Sequence, residues 1–169
     1  MIVFFCSPMG SGKTLALTLF GYVCHKTGIM VYSNYPVKFP HIPVEKPEEI
    51  ELISNGVFLG DELWNWIDAR TSMKNKNTVI SKILLQSRKR NFHILHTAQF
   101  KSQPDKRLRE HTDIFGIPSF DKTTNMCSIS FYEYMGHDRV VAVPISSYKF
   151  DGSKVFDLYD SYSGLYSSD

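Results

Sequence analysis

Residues 7–14 read Ser-Pro-Met-Gly-Ser-Gly-Lys-Thr, and they join an apolar run, residues 2–6, to an amphipathic stretch, residues 13–26. A glycine-rich turn between a buried strand and a helix is the setting of a phosphate-binding loop of the Walker A type. There, backbone N–H groups and the positive end of the helix dipole attract phosphate oxygens. The pattern therefore predicts a nucleotide-binding loop made of Ser7, Pro8, Met9, Gly10, Ser11, Gly12, Lys13 and Thr14.

Two side chains at the end of this loop carry its chemistry. Lys13 would reach the β- and γ-phosphates, and Thr14 would offer its hydroxyl to Mg²⁺. Ser7 stands where the Walker A pattern begins with glycine, so the first turn must form without glycine's freedom at positive φ. The alternative is a glycine-rich turn that only caps a helix, but a lysine followed by a threonine has no role in such a turn.

An acidic pair, Asp61 and Glu62, follows the apolar run of residues 56–60. Open parallel sheets place their ligands at the carboxyl ends of strands, so the pair is typical of a Walker B motif. We expect Asp61 to hold Mg²⁺ through a water, and Glu62 to polarise the attacking water. In the alternative interpretation the two acids only begin a solvated helix, since both are favoured in a first turn.

A further apolar run, residues 92–98, ends at Gln99, which we expect beside the γ-phosphate. An amide can donate to phosphate and accept from water, so Gln99 is predicted to sense the nucleotide or position the nucleophile. Alternatively, a glutamine at the end of a strand bonds only its own loop.

Arg107 and Arg109 follow on a short basic stretch, residues 104–110, that is predicted to be helical. Either arginine is a candidate finger, because a guanidinium supplied to a neighbouring subunit neutralises charge that develops on the γ-phosphate. The competing interpretation is a solvated basic helix face.

The order of elements predicts an α/β fold. Short apolar runs alternate with amphipathic stretches up to residue 111, as in strand–helix units around a parallel sheet. After residue 111 the sequence alternates like antiparallel strands, with a hairpin predicted from residues 127–134 and 139–145 around a turn at 136–138. The expected organisation is one domain over residues 1–169, with a nucleotide-binding core (1–115), a β-rich extension (116–160) and a tail (161–169).

Length, charge and cysteine count exclude several classes. A chain of 169 residues has room for one sizeable core. A net charge of +2 excludes a general polyanion binder, so any DNA contact must use a local basic patch. No apolar run approaches the ~20 residues of a membrane span, and no secretory signal is recognisable, so we expect an intracellular protein. The three isolated cysteines suggest neither a disulfide framework nor a zinc site.

These motifs together resemble the FtsK-HerA superfamily of motor ATPases. The chain looks most like the zonula occludens toxin-like and viral genome-packaging branch, including small archaeal-virus ATPases, over roughly residues 1–115. The resemblance implies a three-layer, RecA-like P-loop fold of the additional-strand type, with strand order 5-1-4-3-2, and it places Gln99 on the family's glutamine sensor.

The same resemblance implies a function. It implies that a homo-oligomeric ring hydrolyses ATP with Mg²⁺ to move DNA, commonly into a virion or across a membrane. The partners would then be DNA and a virion or membrane protein, and the location would be the host cytoplasm or the virion.

Two alternative functions remain open at this stage. The loop at residues 7–14 is also similar to that of type II thymidine kinases, but such kinases carry a zinc-binding lasso with paired cysteines, which three isolated cysteines cannot supply. The third hypothesis is a non-hydrolysing nucleotide-binding subunit of an assembly.

Overall fold

The structure is a computed structural model that describes residues 1–71, 73–133, 135 and 143–160. Within this part, the side chains of residues 73–77, 86 and 88 are not described. The predicted tail, residues 161–169, therefore lies outside the described residues.

One eight-stranded sheet organises the chain. Its strands are β1 (Ile2–Cys6), β2 (Met30–Ser33), β3 (Ile42–Pro43), β4 (Gly56–Gly60), β5 (His93–Ala98), β6 (Ile114–Asp121), β7 (Met126–Glu133) and β8 (Ser146–Asp151). They lie in the order β3-β2-β4-β5-β1-β6-β7-β8, and the pairs from β3 through β6 are parallel. The predicted mostly parallel α/β sheet is confirmed, and the run β6-β1-β5-β4-β2 is the implied order 5-1-4-3-2.

Helices cover both faces of this sheet. They are α1 (Lys13–Lys26), α2 (Leu63–Arg70), α3 (Met73–Lys89), α4 (Lys106–Glu110) and α5 (Ser153–Phe156), with a 3₁₀ helix at Pro47–Leu52. Because side chains alternate along a strand, β1 offers Val3 and Phe5 to the α1 layer and Ile2 to the α3 layer. The predicted three layers therefore follow from strands that are apolar on both faces.

The predicted limits of α1 are confirmed at both ends. The helix begins at Lys13, directly after the glycine-rich turn, and ends at Lys26. Gly28 follows in the left-handed region with φ of 83°, a conformation that residues with a Cβ rarely adopt. The helix dipole therefore points its positive end at the loop that precedes Lys13.

The β-rich extension differs from the predicted hairpin. β7 pairs with β6 on one side and with β8 on the other, both antiparallel, so the hairpin turn lies at residues 122–125. The predicted turn at 136–138 and residues 139–142 lie outside the described residues. Residues 143–145 directly precede β8, and the Ile145 N–H donates to the Phe131 carbonyl oxygen of β7 at 2.8 Å. An antiparallel strand pair at this end of the chain is confirmed, but the partner that β7 uses is β8, residues 146–151, rather than the predicted 139–145.

The sequence pattern did not predict β6, which pairs with the other edge of β7. Gly116 and Pro118 both lower strand propensity, so the sequence pattern conceals this strand. In the structure, β6 pairs with β1 only through its residues 114–116. Pro118 therefore sits where β6 has one open edge, which is where a sheet tolerates proline.

Candidate nucleotide-binding site

The glycine-rich loop connects β1 to α1 as predicted. Gly10 and Gly12 adopt φ of 77° and 85°, in the left-handed region, whereas Ser7 does not. A serine is therefore compatible with the first position of this loop. The Ser11 hydroxyl donates to the Pro8 carbonyl oxygen at 2.7 Å, and the hydroxyls of Ser7 and Ser11 are hydrogen-bonded to each other.

Lys13 is buried, and its side chain reaches back from the start of α1 over the loop. Its Nζ donates to the carbonyl oxygens of Ser7 at 2.9 Å and Pro8 at 3.0 Å. Burial lowers the pKa of Lys13, and the carboxylates of Glu62 and Asp61 act in the opposite direction. The loop thus holds a positive charge at the helix N-terminus, where anions are favoured.

Asp61 faces Thr14 across the cleft, at the carboxyl end of β4. Its carboxylate accepts hydrogen bonds from Thr14 Oγ1 at 3.0 Å and from Thr97 Oγ1 at 2.7 Å. Burial raises the pKa of Asp61, and these two hydrogen bonds oppose that rise. A hydroxyl and a carboxylate beside a phosphate loop are the oxygen ligands that Mg²⁺ takes together with phosphates, so Thr14 and Asp61 fit this ion.

Glu62 and Gln99, predicted from separate motifs, contact each other. Gln99 Nε2 donates to Glu62 Oε1 at 3.0 Å, and Asn65 Nδ2 donates to Glu62 Oε2 at 2.9 Å. Glu62 has φ of 42° and ψ of 44°, a left-handed conformation that is unusual for glutamate. The two amides therefore hold the carboxylate at a strained turn between β4 and α2.

Two polar residues that the sequence interpretation missed support this turn. The Asn34 side chain forms two hydrogen bonds with the Asp61 backbone. Its Oδ1 accepts from the Asp61 N–H at 2.8 Å, and its Nδ2 donates to the Asp61 carbonyl oxygen at 2.9 Å. Thr97 Oγ1 accepts from the Glu62 N–H at 2.8 Å while it donates to Asp61. Both lie at or just after the carboxyl ends of parallel strands, and that position was the available signal.

We predict that Thr97→Val destabilises the protein by about 1–3 kcal/mol, because it removes the acceptor of the Glu62 N–H and one of the two hydroxyl donors to Asp61 Oδ1. The measurement is the free energy of unfolding in denaturant. Thr112→Val is the matched control. Thr112 is also buried, but its hydroxyl donates to the Leu108 carbonyl oxygen, four residues earlier in the chain, and not to the candidate site. Equal losses in the two variants would contradict a special role for Thr97.

The candidate arginines lie away from this cleft. Arg107 Nε contacts Asp105 Oδ1 at 3.1 Å, and its Nη1 donates to Ser81 Oγ of α3 at 2.8 Å. Arg109 is half-buried on the same helix, α4. Neither lines the cleft that holds Lys13, so a finger role within the same chain has no geometric support among the described residues.

The cleft over the loop has a volume of about 560 Å³. Its lining comprises loop and Walker B residues together with Gln99 and four residues of the β-rich extension: Phe120, Lys122, Phe156 and Tyr159. Burial, with the nearby Asp61 carboxylate, raises the pKa of Tyr159 to about 12. The extension therefore forms one wall of the candidate site, which the sequence interpretation did not foresee.

Other sequence expectations concern metals and membranes. Across residues 1–71, 73–133, 135 and 143–160, no group of three His, Cys, Asp or Glu side chains is arranged to hold a metal ion. His96 is fully buried, stacks on Phe4 at 4.6 Å between ring centroids, and has its pKa lowered by burial to about 3. In the same described part of the chain, no helix combines the length and apolar character needed to cross a membrane.

Comparisons with known proteins agree on the fold. The sequence matches no protein-family model and no curated protein. The structure is similar to the N-terminal domain of zonular occludens toxin from Neisseria meningitidis, with a TM-score of 0.51 and 16% identity, covering 94% of this chain and 98% of that chain. It is also similar to the flagellar accessory protein FlaH from Methanocaldococcus jannaschii, with a TM-score of 0.55 and 11% identity, covering 79% and 78%. With its sheet order, this likeness shows that the chain has a RecA-like P-loop α/β fold.

Proposed function

We propose that the protein is a Mg²⁺-dependent ATPase. One observation carries the proposal: Lys13, Thr14, Asp61, Glu62 and Gln99 all line one cleft at the carboxyl ends of β1, β4 and β5. A loop that only caps a helix does not need Asp61, Glu62 or Gln99 beside it. Their joint presence supports phosphoryl chemistry rather than a structural turn.

Each residue has a role that its position supports. The N–H groups at the start of α1 and the Lys13 ammonium bind the β- and γ-phosphates of ATP. Thr14 and Asp61 would hold Mg²⁺, which supplies positive charge against the phosphate oxygens. Glu62 accepts a proton from the attacking water as the bond between the γ-phosphorus and its bridging oxygen breaks. Gln99, bonded to Glu62, orients that water.

We extend the proposal to a homo-oligomeric ring that moves nucleic acid, in viral genome packaging or virion morphogenesis. The support is the resemblance of the motifs to the FtsK-HerA superfamily, together with arginines on α4 that lie away from the cleft of their own chain. With a net charge of only +2, DNA would bind a local basic patch. A virion or membrane protein in the host cell would be the second partner.

The test is the ATPase rate per subunit, measured across protein concentration with and without double-stranded DNA. We expect the rate per subunit to rise with protein concentration, so that total activity rises faster than linearly, and we expect a further rise with DNA. Tight ATP binding without phosphate release under every condition would instead favour a non-hydrolysing subunit. Phosphate transfer to thymidine would favour a nucleoside kinase.

We predict that Arg109→Ala lowers turnover without weakening ATP binding, with Arg107→Ala as the second candidate, because a finger stabilises only the transition state. Mixing Arg109→Ala with Lys13→Ala subunits, which keep their arginines, should restore part of the activity. Lys106→Ala on the same exposed helix is the matched control and should have no effect.

The ring mechanism fails if activity per subunit stays constant on dilution to a demonstrated monomer and neither arginine matters. Rescue in the mixture has no explanation in a monomer, so it separates action between subunits from a folding defect.

A further inference from the structure

Two phenylalanines of the β-rich extension pack together at one end of the cleft. The rings of Phe120 and Phe156 meet edge to face, with centroids 6.0 Å apart. Phe120 is half-buried near the end of β6, and Phe156, at the end of α5, has 43% of its surface exposed. An exposed aromatic ring in a cleft wall is available to a ligand.

The sheet order places this pair at the end opposite the catalytic carboxylates. Asp61 and Glu62 follow β4, and Gln99 follows β5. Both strands lie on one side of β1 in the sheet, and β6 lies on the other. The phosphate loop leaves β1 between them. A nucleotide whose γ-phosphate faces Glu62 therefore directs its base towards Phe120 and Phe156.

The aromatic wall is held firmly against the phosphate loop. A Cβ on Gly12 would lie 3.2 Å from Phe120 Cβ, and a Cβ on Gly152 would lie 2.9 Å from Phe120 Cε2. The turn that follows β6 is fixed by Asp121, whose carboxylate accepts from the N–H of Thr123 at 2.9 Å and the hydroxyl of Thr124 at 2.8 Å. Packing against Gly12 and Gly152 and the hydrogen-bonded turn together fix the position of Phe120.

Few groups at this end can recognise the edge of a base. Among the described residues that line the cleft, the extension contributes Phe120, Lys122, Phe156 and Tyr159, and Lys122 is the one charged side chain of the four. Stacking on an aromatic ring is tolerant of sequence, because every base has a π-face. Lys122 can donate to N7, an acceptor that adenine and guanine share, and none of the four residues has a side-chain amide of the kind that reads adenine N6 and N7 together.

We propose that Phe120 and Phe156 form a stacking platform for the nucleobase, and that this platform recognises the face of the base rather than its edge. The inference rests on the proposed nucleotide-binding function and deepens it. It makes the β-rich extension part of the nucleotide site. It also predicts that ATP and GTP bind with affinities within about threefold of each other.

The test is calorimetric titration of the whole chain with Mg²⁺ and three probes: ATP, GTP and inorganic tripolyphosphate. We expect Phe156→Ala to weaken both nucleotides by roughly 5- to 150-fold, the range of base–aromatic stacking, and to leave tripolyphosphate affinity within twofold. Phe156→Tyr, which keeps the ring, should bind all three like the wild type. Tyr148→Ala is the matched control, because Tyr148 is a 50% exposed aromatic on β8 outside the cleft lining.

The outcomes separate the two proposals. If the wild type binds tripolyphosphate as tightly as ATP, or if Phe156→Ala weakens all three probes equally, the platform is overturned while phosphate binding stands. A preference for either nucleotide over the other that clearly exceeds threefold overturns recognition by the face of the base. If the wild type binds none of the probes, the proposed nucleotide-binding function itself fails.

Discussion

Lys13→Ala is expected to weaken binding of Mg²⁺-ATP by at least about 10²-fold while the fold stays intact. A hydrogen bond to a charged group contributes about 1.5–3 kcal/mol, and Lys13 would contact two phosphates. The Lys13 ammonium donates to the carbonyl oxygens of Ser7 and Pro8. These contacts hold the positive charge at the loop, where a phosphate would bind.

The measurement is ATP titration by calorimetry, with circular dichroism to confirm folding. Lys26→Ala provides the control, because Lys26 is an exposed lysine at the other end of the same helix, where its ammonium lies 5.2 Å from the Tyr22 ring centroid. Unchanged ATP affinity in folded Lys13→Ala protein would refute the assignment of residues 7–14 as a phosphate-binding loop.

Glu62→Gln is expected to lower turnover by about 10²-fold or more, the scale of general-base catalysis, with ATP still bound. The variant keeps the side-chain volume but removes the proton acceptor. Asn65 and Gln99 each donate to one oxygen of Glu62. A glutamine amide has a single oxygen, so one of these two donors would face an NH₂ group instead.

Single-turnover phosphate release distinguishes this chemical step from product release. Glu48→Gln, on the exposed first turn of the 3₁₀ helix, should behave like the wild type. If Glu62→Gln retains near-normal turnover, the catalytic role belongs elsewhere, and Gln99 is the next residue to replace.

The parts of the site that could be predicted from sequence are those encoded by contiguous motifs. Residues 7–14 supply their own strand–turn–helix setting, and Asp61 and Glu62 follow their strand directly. The sheet order that brings Gln99 to Glu62 came from resemblance to a family. Sequence periodicity alone does not fix which strands are neighbours.

The supporting residues depend on contacts between distant segments, which no local pattern reveals. Asn34 reaches Asp61 because β2 lies beside β4, and Thr97 reaches it because β5 lies on the other side. Phe120 was missed for a related reason. It lies on β6, whose glycine and proline obscure the strand pattern, and only the return of the chain through α5 brings Phe156 against it.

The central position of β1 also sets the order in which the molecule can assemble during translation. This strand is synthesised before the other described strands of the sheet, yet its two neighbours are β5 (93–98) and β6 (114–121). At about 5–20 residues per second, the buried Ile2–Cys6 segment waits roughly 5–20 s for its first partner. Until residues 93–121 have been made, the nascent chain therefore exposes the apolar β1 segment, and the phosphate loop that follows it lacks both strands that flank β1.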